Sequence, residues 1–394
     1  MTAPPFPGFS STVFTAFYLL GLTVIAHIFL VSLVVGIAVI VPLLEWRGYR
    51  NNDNDLLGLS RRLFKFLAVT DLVAGVWATW MTVALAGYWS TLLFVVTTKL
   101  FLPVTIAIVG IVISIPSMAA YYYLWGKVSR RVHLLIGVLM IIGTLLVPIG
   151  MNAIFAFVDY PVSSASAWVG FLNPLYPVFT IHRVFAGIVM AALAFSAFYT
   201  LKLAKKSGKA DEDSSVYLKG ARYGLHIGLT ALVVQTVTGM LFGIQLMQYS
   251  PYLASAVFGN MFAGYVPTYY DFAPLFGVFL AIVAILWMSG LYNLNQFRKM
   301  RFSKTASYMM FFAAMAGVPL MEFVHDAARF PYFVIVGSSG IPASTFVNSW
   351  MVIPSEFAMA AILVAGTLMT VFVYLLYSLF LKPFGAKLWA KRVS

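Results

Sequence analysis

No cysteine occurs among the 394 residues. That excludes disulfides, thiolate-held metal clusters and cysteine nucleophiles, and it leaves the redox compartment unread. Charge is almost as scarce. Asp, Glu, Lys and Arg make up 9% of the chain, against about 25% in a soluble domain. Residues 1–10 lack the basic lead of a cleaved signal peptide, so the first apolar run is expected to stay in the mature protein. Internal repeats, low-complexity tracts and a separate soluble domain are all missing. The expectation is one domain, residues 1–394.

What is present is apolar. Hydrophobic residues form 62% of the chain and aromatics 16%. A soluble core of this length could not hide so much apolar surface, whereas lipid solvates it and interfaces favour its aromatic rings. The net charge of +13 would suggest nucleic acid in a soluble protein. Here the basic residues fall in loops between apolar runs, so membrane lipid is the expected partner and nucleic acid is not. The fold class is therefore all-α, a polytopic integral membrane protein.

Crossing a bilayer core of about 30 Å takes roughly 20 apolar residues. Nine stretches meet that length: Val13–Leu44, Leu63–Trp89, Leu92–Trp125, Val132–Phe157, Tyr176–Leu203, Tyr217–Met247, Tyr269–Leu294, Ala306–Ala328 and Pro354–Leu381. One set of connections carries Arg47, Arg50, Arg61 and Arg62, then Lys127, Arg130 and Arg131. It continues with Lys202, Lys205, Lys206 and Lys209, then Arg298, Lys299, Arg301 and Lys304. The tail adds Lys382, Lys387, Lys391 and Arg392. The alternate connections are nearly free of Lys and Arg. Under the positive-inside rule the basic set is cytoplasmic, with the N-terminus outside and the C-terminus inside. Nine spans satisfy that parity. Val158–Leu175, Ser250–Pro267 and the Gly/Ser-rich Gly337–Ser349 form the outer loops.

An ionisable residue within a span is expensive and marks a candidate site. His27 lies near mid-depth in span one, and His182 lies roughly 9 Å below the outer end of span five, at about 1.5 Å per residue. Glu322, His325 and Arg329 follow i, i+3, i+7 spacing, so they share one face near the outer end of span eight. These groups all fall in the outer half. Separate helices that each deliver an imidazole or carboxylate suit a haem iron, whose axial ligands come from opposite sides of the ring. Arg183 and Arg329 stand beside them, where an arginine forks onto a propionate. The plainer reading of a lone intramembrane histidine is a hydrogen bond to a neighbouring helix. His226 lies closer to the cytoplasm, away from the group. His133 reads as an interfacial, solvated residue, and Glu45 as a partner for Arg47 or Arg50.

The motifs around these residues resemble subunit I of the cytochrome bd quinol oxidases. His27, Gly36 and Glu45 have the H-x8-G-x8-E spacing of that family's first helix, whose histidine ligates the haem at the oxygen site. Leu172-Asn173-Pro174, then His182, Gly187 and Ser196-Ala197-Phe198-Tyr199, are similar to the run whose histidine ligates the low-spin b haem. Ala86-Gly87-Tyr88-Trp89 resembles G-x-N-W. Gly126-Lys127-Val128 with His133 resembles the family's entrance to span four. Ala328-Arg329-Phe330-Pro331-Tyr332 resembles G-R-Q-P-W, with Glu322 upstream in the place of the high-spin haem's carboxylate ligand.

The sequence also departs from the family. Leu275 stands where the low-spin haem's methionine is found, and no Met lies between Phe272 and Val283. Phe101 to Met118 contains no acid, where the family carries glutamates of a proton path. The long quinol loop is missing, and its opening pattern is echoed only by Gln248, with Tyr252 and Val257 in place of Lys and Glu.

The resemblance implies a haem-carrying subunit of a terminal oxidase in a prokaryotic plasma membrane. Iron ligation falls to His27, His182 and Glu322 or His325. Arg183 and Arg329 attend the cofactor, and His27 and Glu322 serve catalysis. The implied cofactor is haem b, with haem d or additional b haems as the family's other options. The implied partners are a second oxidase subunit (subunit II-like or a paralogue of this chain), a quinol or other donor, and oxygen. Two rival readings are an accessory electron-transfer paralogue without oxygen chemistry of its own and a proton-coupled transporter. The transporter reading lacks an inverted repeat or a Gly/Pro-broken pair of spans.

Overall fold

The computed structural model describes residues 6–8, 10–164, 166–205, 214–261 and 264–347. The expected ninth span, Pro354–Leu381, lies outside the described residues, as do the basic tail and Lys206 and Lys209. Among the described residues eight helices are long and apolar enough to cross a membrane. They are α1 (Ser11–Asn51), α2 (Asn54–Tyr88), α4 (Phe101–Tyr123), α5 (Arg130–Asp159), α6 (Tyr176–Lys205), α7 (Ser214–Tyr249), α9 (Ala273–Arg298) and α10 (Lys304–Ala327). Two shorter helices, α3 (Ser90–Lys99) and α8 (Pro251–Phe258), lie between them.

One expected span is corrected. Leu92–Trp125 is not continuous, because the helix breaks at Leu100 and divides into α3 and α4. The cause is Pro103. Its ring clashes with the carbonyl four residues back, that of Lys99, and it has no N–H to donate there. At ten residues α3 is too short to cross a bilayer.

The turns are written in local chemistry. Asn52 closes α1 in the left-handed conformation at φ 49°. The Asp53 carboxylate then opens α2 by accepting from the Asp55 and Leu56 amides at 3.0 and 3.2 Å. Ser10, Ser129 and Ser303 cap α1, α5 and α10 in the same way. Asn173 joins α5 to α6. Its amide donates to the carbonyls of Ala156 and Tyr160, while its oxygen accepts from the Leu175 amide. The family-like Asn-Pro pair is therefore a splice between two helices.

α6 is the most enclosed helix and packs on α1, α5, α7 and α10. Its approach to α1 is set by glycine. A Cβ on Gly36 would fall 2.6 Å from that of Ala191 and collide with the Gly187 carbonyl, so only a bare backbone fits. The bundle has two ends. The basic end holds the α1–α2, α4–α5 and α9–α10 turns, together with the end of α6 and the start of α7. The loop end holds α3, α8 and an antiparallel hairpin, β1 (Tyr332–Val336) and β2 (Ser339–Pro342). Aromatic rings close the loop end. Phe330 meets Phe14, Phe17, Tyr269 and Tyr270, and the Trp89 indole donates to the Ala16 carbonyl at 3.2 Å.

Candidate functional site

His27 and His182 share one arrangement on different helices. His27 Nδ1 lies 3.1 Å from the Ala74 carbonyl of α2, and His182 Nδ1 lies 3.3 Å from the Gln235 carbonyl of α7. In each case a proton on Nδ1 donates to a main-chain oxygen of the neighbouring helix, so Nε2 keeps its lone pair. That is the state in which imidazole ligates a metal, with the second nitrogen anchored. Both residues are only partly buried. Gly239 makes room for the His182 ring, since a Cβ there would fall 2.8 Å from Cε1. On the Nε2 side sits the Gln235 amide nitrogen at 3.2 Å. The Gln235 oxygen is buried without a partner.

Next to His182, Arg183 forms an ion pair with Glu322 of α10. Its guanidinium also donates to Asn152 at 3.3 Å and lies over the rings of Phe155 and Phe179. The pair is not fully satisfied. Glu322 Oε2 and Asn152 Nδ2 are buried with no hydrogen-bond partner. Unmatched buried polar atoms are costly, and several together on α5 and α10 mark a place built to receive another group.

His325 and Arg329 behave differently. His325 Nε2 lies 3.0 Å from Asp159 of α5, and its Nδ1 lies 3.1 Å from an Arg329 nitrogen. Arg329 also donates to Asp159 at 2.9 Å and Asp326 at 2.7 Å. Burial works against the Arg329 charge, but the two carboxylates more than offset it and hold its pKa above the usual value. Both ring nitrogens of His325 are therefore engaged, and Arg329 is committed to aspartates. The i, i+3, i+7 face is real, but it divides. Glu322 turns to Arg183, while His325 and Arg329 tie α10 to the end of α5.

Two readings near the basic end are corrected. His133 is not solvated, being 1% exposed. Glu45 does not pair with Arg47 or Arg50. Its carboxylate takes His133 Nδ1 at 2.6 Å and the Tyr121 hydroxyl at 2.5 Å, and His133 Nε2 meets the Tyr121 carbonyl at 2.9 Å. The three residues lock α1, α4 and α5 together. His226 bonds only to its own helix, through the Arg222 carbonyl at 2.7 Å.

Sequence reasoning missed Asp159, Asp326, Asn152 and Gln235. Asp159 and Asp326 were visible as acids beside apolar runs, and Asp326 sits within the marked face. Nothing in the local pattern of Asn152 or Gln235 distinguishes them from ordinary polar helix residues. Asp71, inside the second span, also escaped notice.

The sequence matches the family model for cytochrome bd terminal oxidase subunit I over residues 16–263. The chain belongs to the cytochrome bd subunit I family. Its fold is similar to that of the bd oxidase from Geobacillus thermodenitrificans, with TM-score 0.73 and 17% sequence identity over 92% of this chain and 98% of that one. No curated protein matches by sequence. Membership in this bd family implies haem, and the residues present fit that group. One imidazole, His27, keeps Nε2 open, a second, His182, meets only the Gln235 amide there, a buried carboxylate oxygen lacks a partner, and a guanidinium lies beside them. Leu275, in the place of the family's methionine, packs in the apolar cluster of Phe179, Phe242 and Val324.

Proposed function

We propose that this chain is the haem-carrying subunit of a bd-type terminal oxidase, in which electrons from a quinol or another donor reduce oxygen to water. His182 and Glu322 hold b-type haems, and His27 holds the haem, b or d, at which oxygen binds. Haem iron supplies the electron transfer and the oxygen binding. The chain's residues supply ligation, orientation and a dry site. The carbonyls of Ala74 and Gln235 fix the rings of His27 and His182 so that Nε2 is the ligating atom. Arg183 sits where it can neutralise a propionate, and Glu322 offers its unpartnered oxygen. His325, with both nitrogens engaged, holds α10 against α5 so that Glu322 stays in place. The shared Nδ1-to-carbonyl anchor of His27 and His182 carries this reading, because His133 and His325 bond carboxylates and His226 bonds its own helix, while Nε2 of His27 is open and that of His182 meets only the Gln235 side-chain amide.

The basic end is the cytoplasmic face of a prokaryotic plasma membrane in this reading. The second oxidase subunit, either subunit II-like or a paralogue of this chain, covers part of the bundle. A pyridine haemochromogen assay and a reduced-minus-oxidised spectrum of the purified complex test the assignment. Soret and α bands are expected, with a further red band if the His27 haem is of the d type. His27→Ala should abolish carbon monoxide binding to the reduced complex while the His182 signal persists. A complex without haem bands rejects the proposal.

Two observations favour a second reading, an accessory subunit without oxygen chemistry of its own. Residues 101–118, nearly all of α4, contain no acid, and Leu275 offers no sixth ligand. Under that reading wild-type complex and His27→Ala bind the same amount of carbon monoxide, because the binding site lies in the partner.

A further inference from the structure

α2 carries an unexplained carboxylate at its midpoint. Asp71 is seventeen residues from either end of the helix, since 71 − 54 and 88 − 71 both equal 17. Its expected span begins at Leu63, so Asp71 lies eight residues, about 12 Å at 1.5 Å per residue, inside the basic end of that span, where an ionised side chain is expensive. The acid does not stand on a lipid stripe. Leu67, one turn before it, is 0% exposed, and Ala74, one turn after it, is 2% exposed. Asp71 therefore shares the face that packs into the bundle, and it is itself partly buried. Among the described residues no hydrogen bond or ion pair reaches it. Every other buried carboxylate discussed above has a cation or an imidazole beside it. A carboxylate kept inside a membrane span without one is most economically explained by a function that needs it to change charge.

The neighbourhood says which function. Ala74 is the residue whose carbonyl anchors the His27 ring. It follows Asp71 by three positions, an axial step of about 4.5 Å. Other titratable groups that reach α2 from packed elements do so near the basic end, where Lys219 of α7 clamps Asp53 and Asp55 at 2.7 and 2.8 Å. The α6 contact, Phe66 against Phe195, is apolar. Lys65, on α2 itself, lies six residues nearer the basic end. His27 is thus the titratable group joined to the middle of α2.

We propose that Asp71 takes up a proton when the site at His27 is reduced and gives it back on reoxidation. The inference rests on the assignment of His27 as a haem ligand. Adding an electron to a low-dielectric site raises the cost of a nearby negative charge. One proton from water then binds the Asp71 carboxylate, giving the neutral acid, and the net charge of the region is unchanged. The electron comes from the donor, and no bond other than the carboxyl O–H forms or breaks.

The test uses the whole complex. Redox titrations of the His27-dependent haem, recorded from low to high pH, should show a midpoint potential that falls as pH rises. Asp71→Asn should flatten that dependence, and Asp71→Glu should restore it. Infrared difference spectra of the same reduction should contain a protonated-carboxyl band that Asp71→Asn removes. If Asp71→Asn keeps its haem with unchanged pH dependence and infrared bands, the proposal is overturned. Should the variant fail to assemble, wild-type membranes treated with dicyclohexylcarbodiimide, which attacks protonated carboxyls, decide the matter. Mass spectrometry should find more adduct on Asp71 in dithionite-reduced than in oxidised membranes, and equal labelling overturns the proposal. A wild-type complex lacking haem rejects the oxidase assignment and this inference with it, whereas haem with redox-insensitive Asp71 rejects only the inference.

Discussion

The bundle contains two buried polar clusters, one toward each end, and they are built to opposite rules. Toward the basic end, Glu45, Tyr121 and His133 close on one another. Both Glu45 oxygens and both His133 nitrogens have partners within 3 Å. Toward the loop end, where Arg183 pairs with Glu322, the side chains of Glu322, Asn152 and Asp326 leave polar atoms with none. Both clusters contain a carboxylate, and both join three helices in space. The difference lies in satisfaction. A closed cluster holds helices together and has no capacity left, whereas an open one is incomplete until another group arrives. The same rule separates the histidines, since His133 and His325 are held by carboxylates with both nitrogens used, His27 is used at one nitrogen, and His182 meets only a neutral side-chain amide on Nε2.

Substitutions can break this comparison, beginning with the largest effect. His182→Ala should remove the low-spin haem signal completely while the complex still assembles, measured by reduced-minus-oxidised spectra against protein content. A full signal in that variant would mean that an open nitrogen is no guide to ligation here. His133→Ala should act on stability instead. It takes the imidazole partner from Glu45, which is fully buried, at a cost of about 3–5 kcal/mol for a broken buried pair. The check is the thermal transition of the purified complex, together with an unchanged haem spectrum in whatever remains folded. Gly36→Ala places a methyl against Ala191 and the Gly187 backbone. Overpacking of this kind costs about 1–3 kcal/mol, and by parting α1 from α6 it should weaken haem retention at both histidines together. The smallest effect is expected of Gln235→Ala. The main-chain carbonyl that anchors His182 remains, and only the amide that fills the Nε2 side is lost, so haem content should change by less than about twofold on extraction. Loss of the haem there would make the Gln235 side chain part of the binding site.

The two clusters also show how far the primary structure can be read. Apolar run length set the helices, because backbone in lipid must satisfy its own hydrogen bonds and a span therefore needs a fixed number of apolar residues. The basic loops were legible for a similar local reason, since charge is excluded from the apolar runs. His27, His182 and Glu322 stood out as polar groups in apolar surroundings. The break at Leu100 was also readable, since Pro103 announces it four residues after Lys99. Its effect was hidden by the unbroken hydropathy on either side.

Partnership was not readable, because it depends on which helix faces which. Glu45 lies two residues from Arg47 in the chain, yet it pairs with His133, 88 positions away. His325 and Glu322 are neighbours on one helix face, yet Asp159 takes the first and Arg183 the second. The sequence by itself determined an all-α membrane protein and a short set of intramembrane ionisable residues, since each follows from local composition and the length of a bilayer crossing. Only the tertiary structure decided which of those residues were already spent on one another and which kept a free nitrogen or oxygen. A hydrogen bond between helices depends on side chains brought within about 3 Å, and no periodicity within one helix records what the next helix brings.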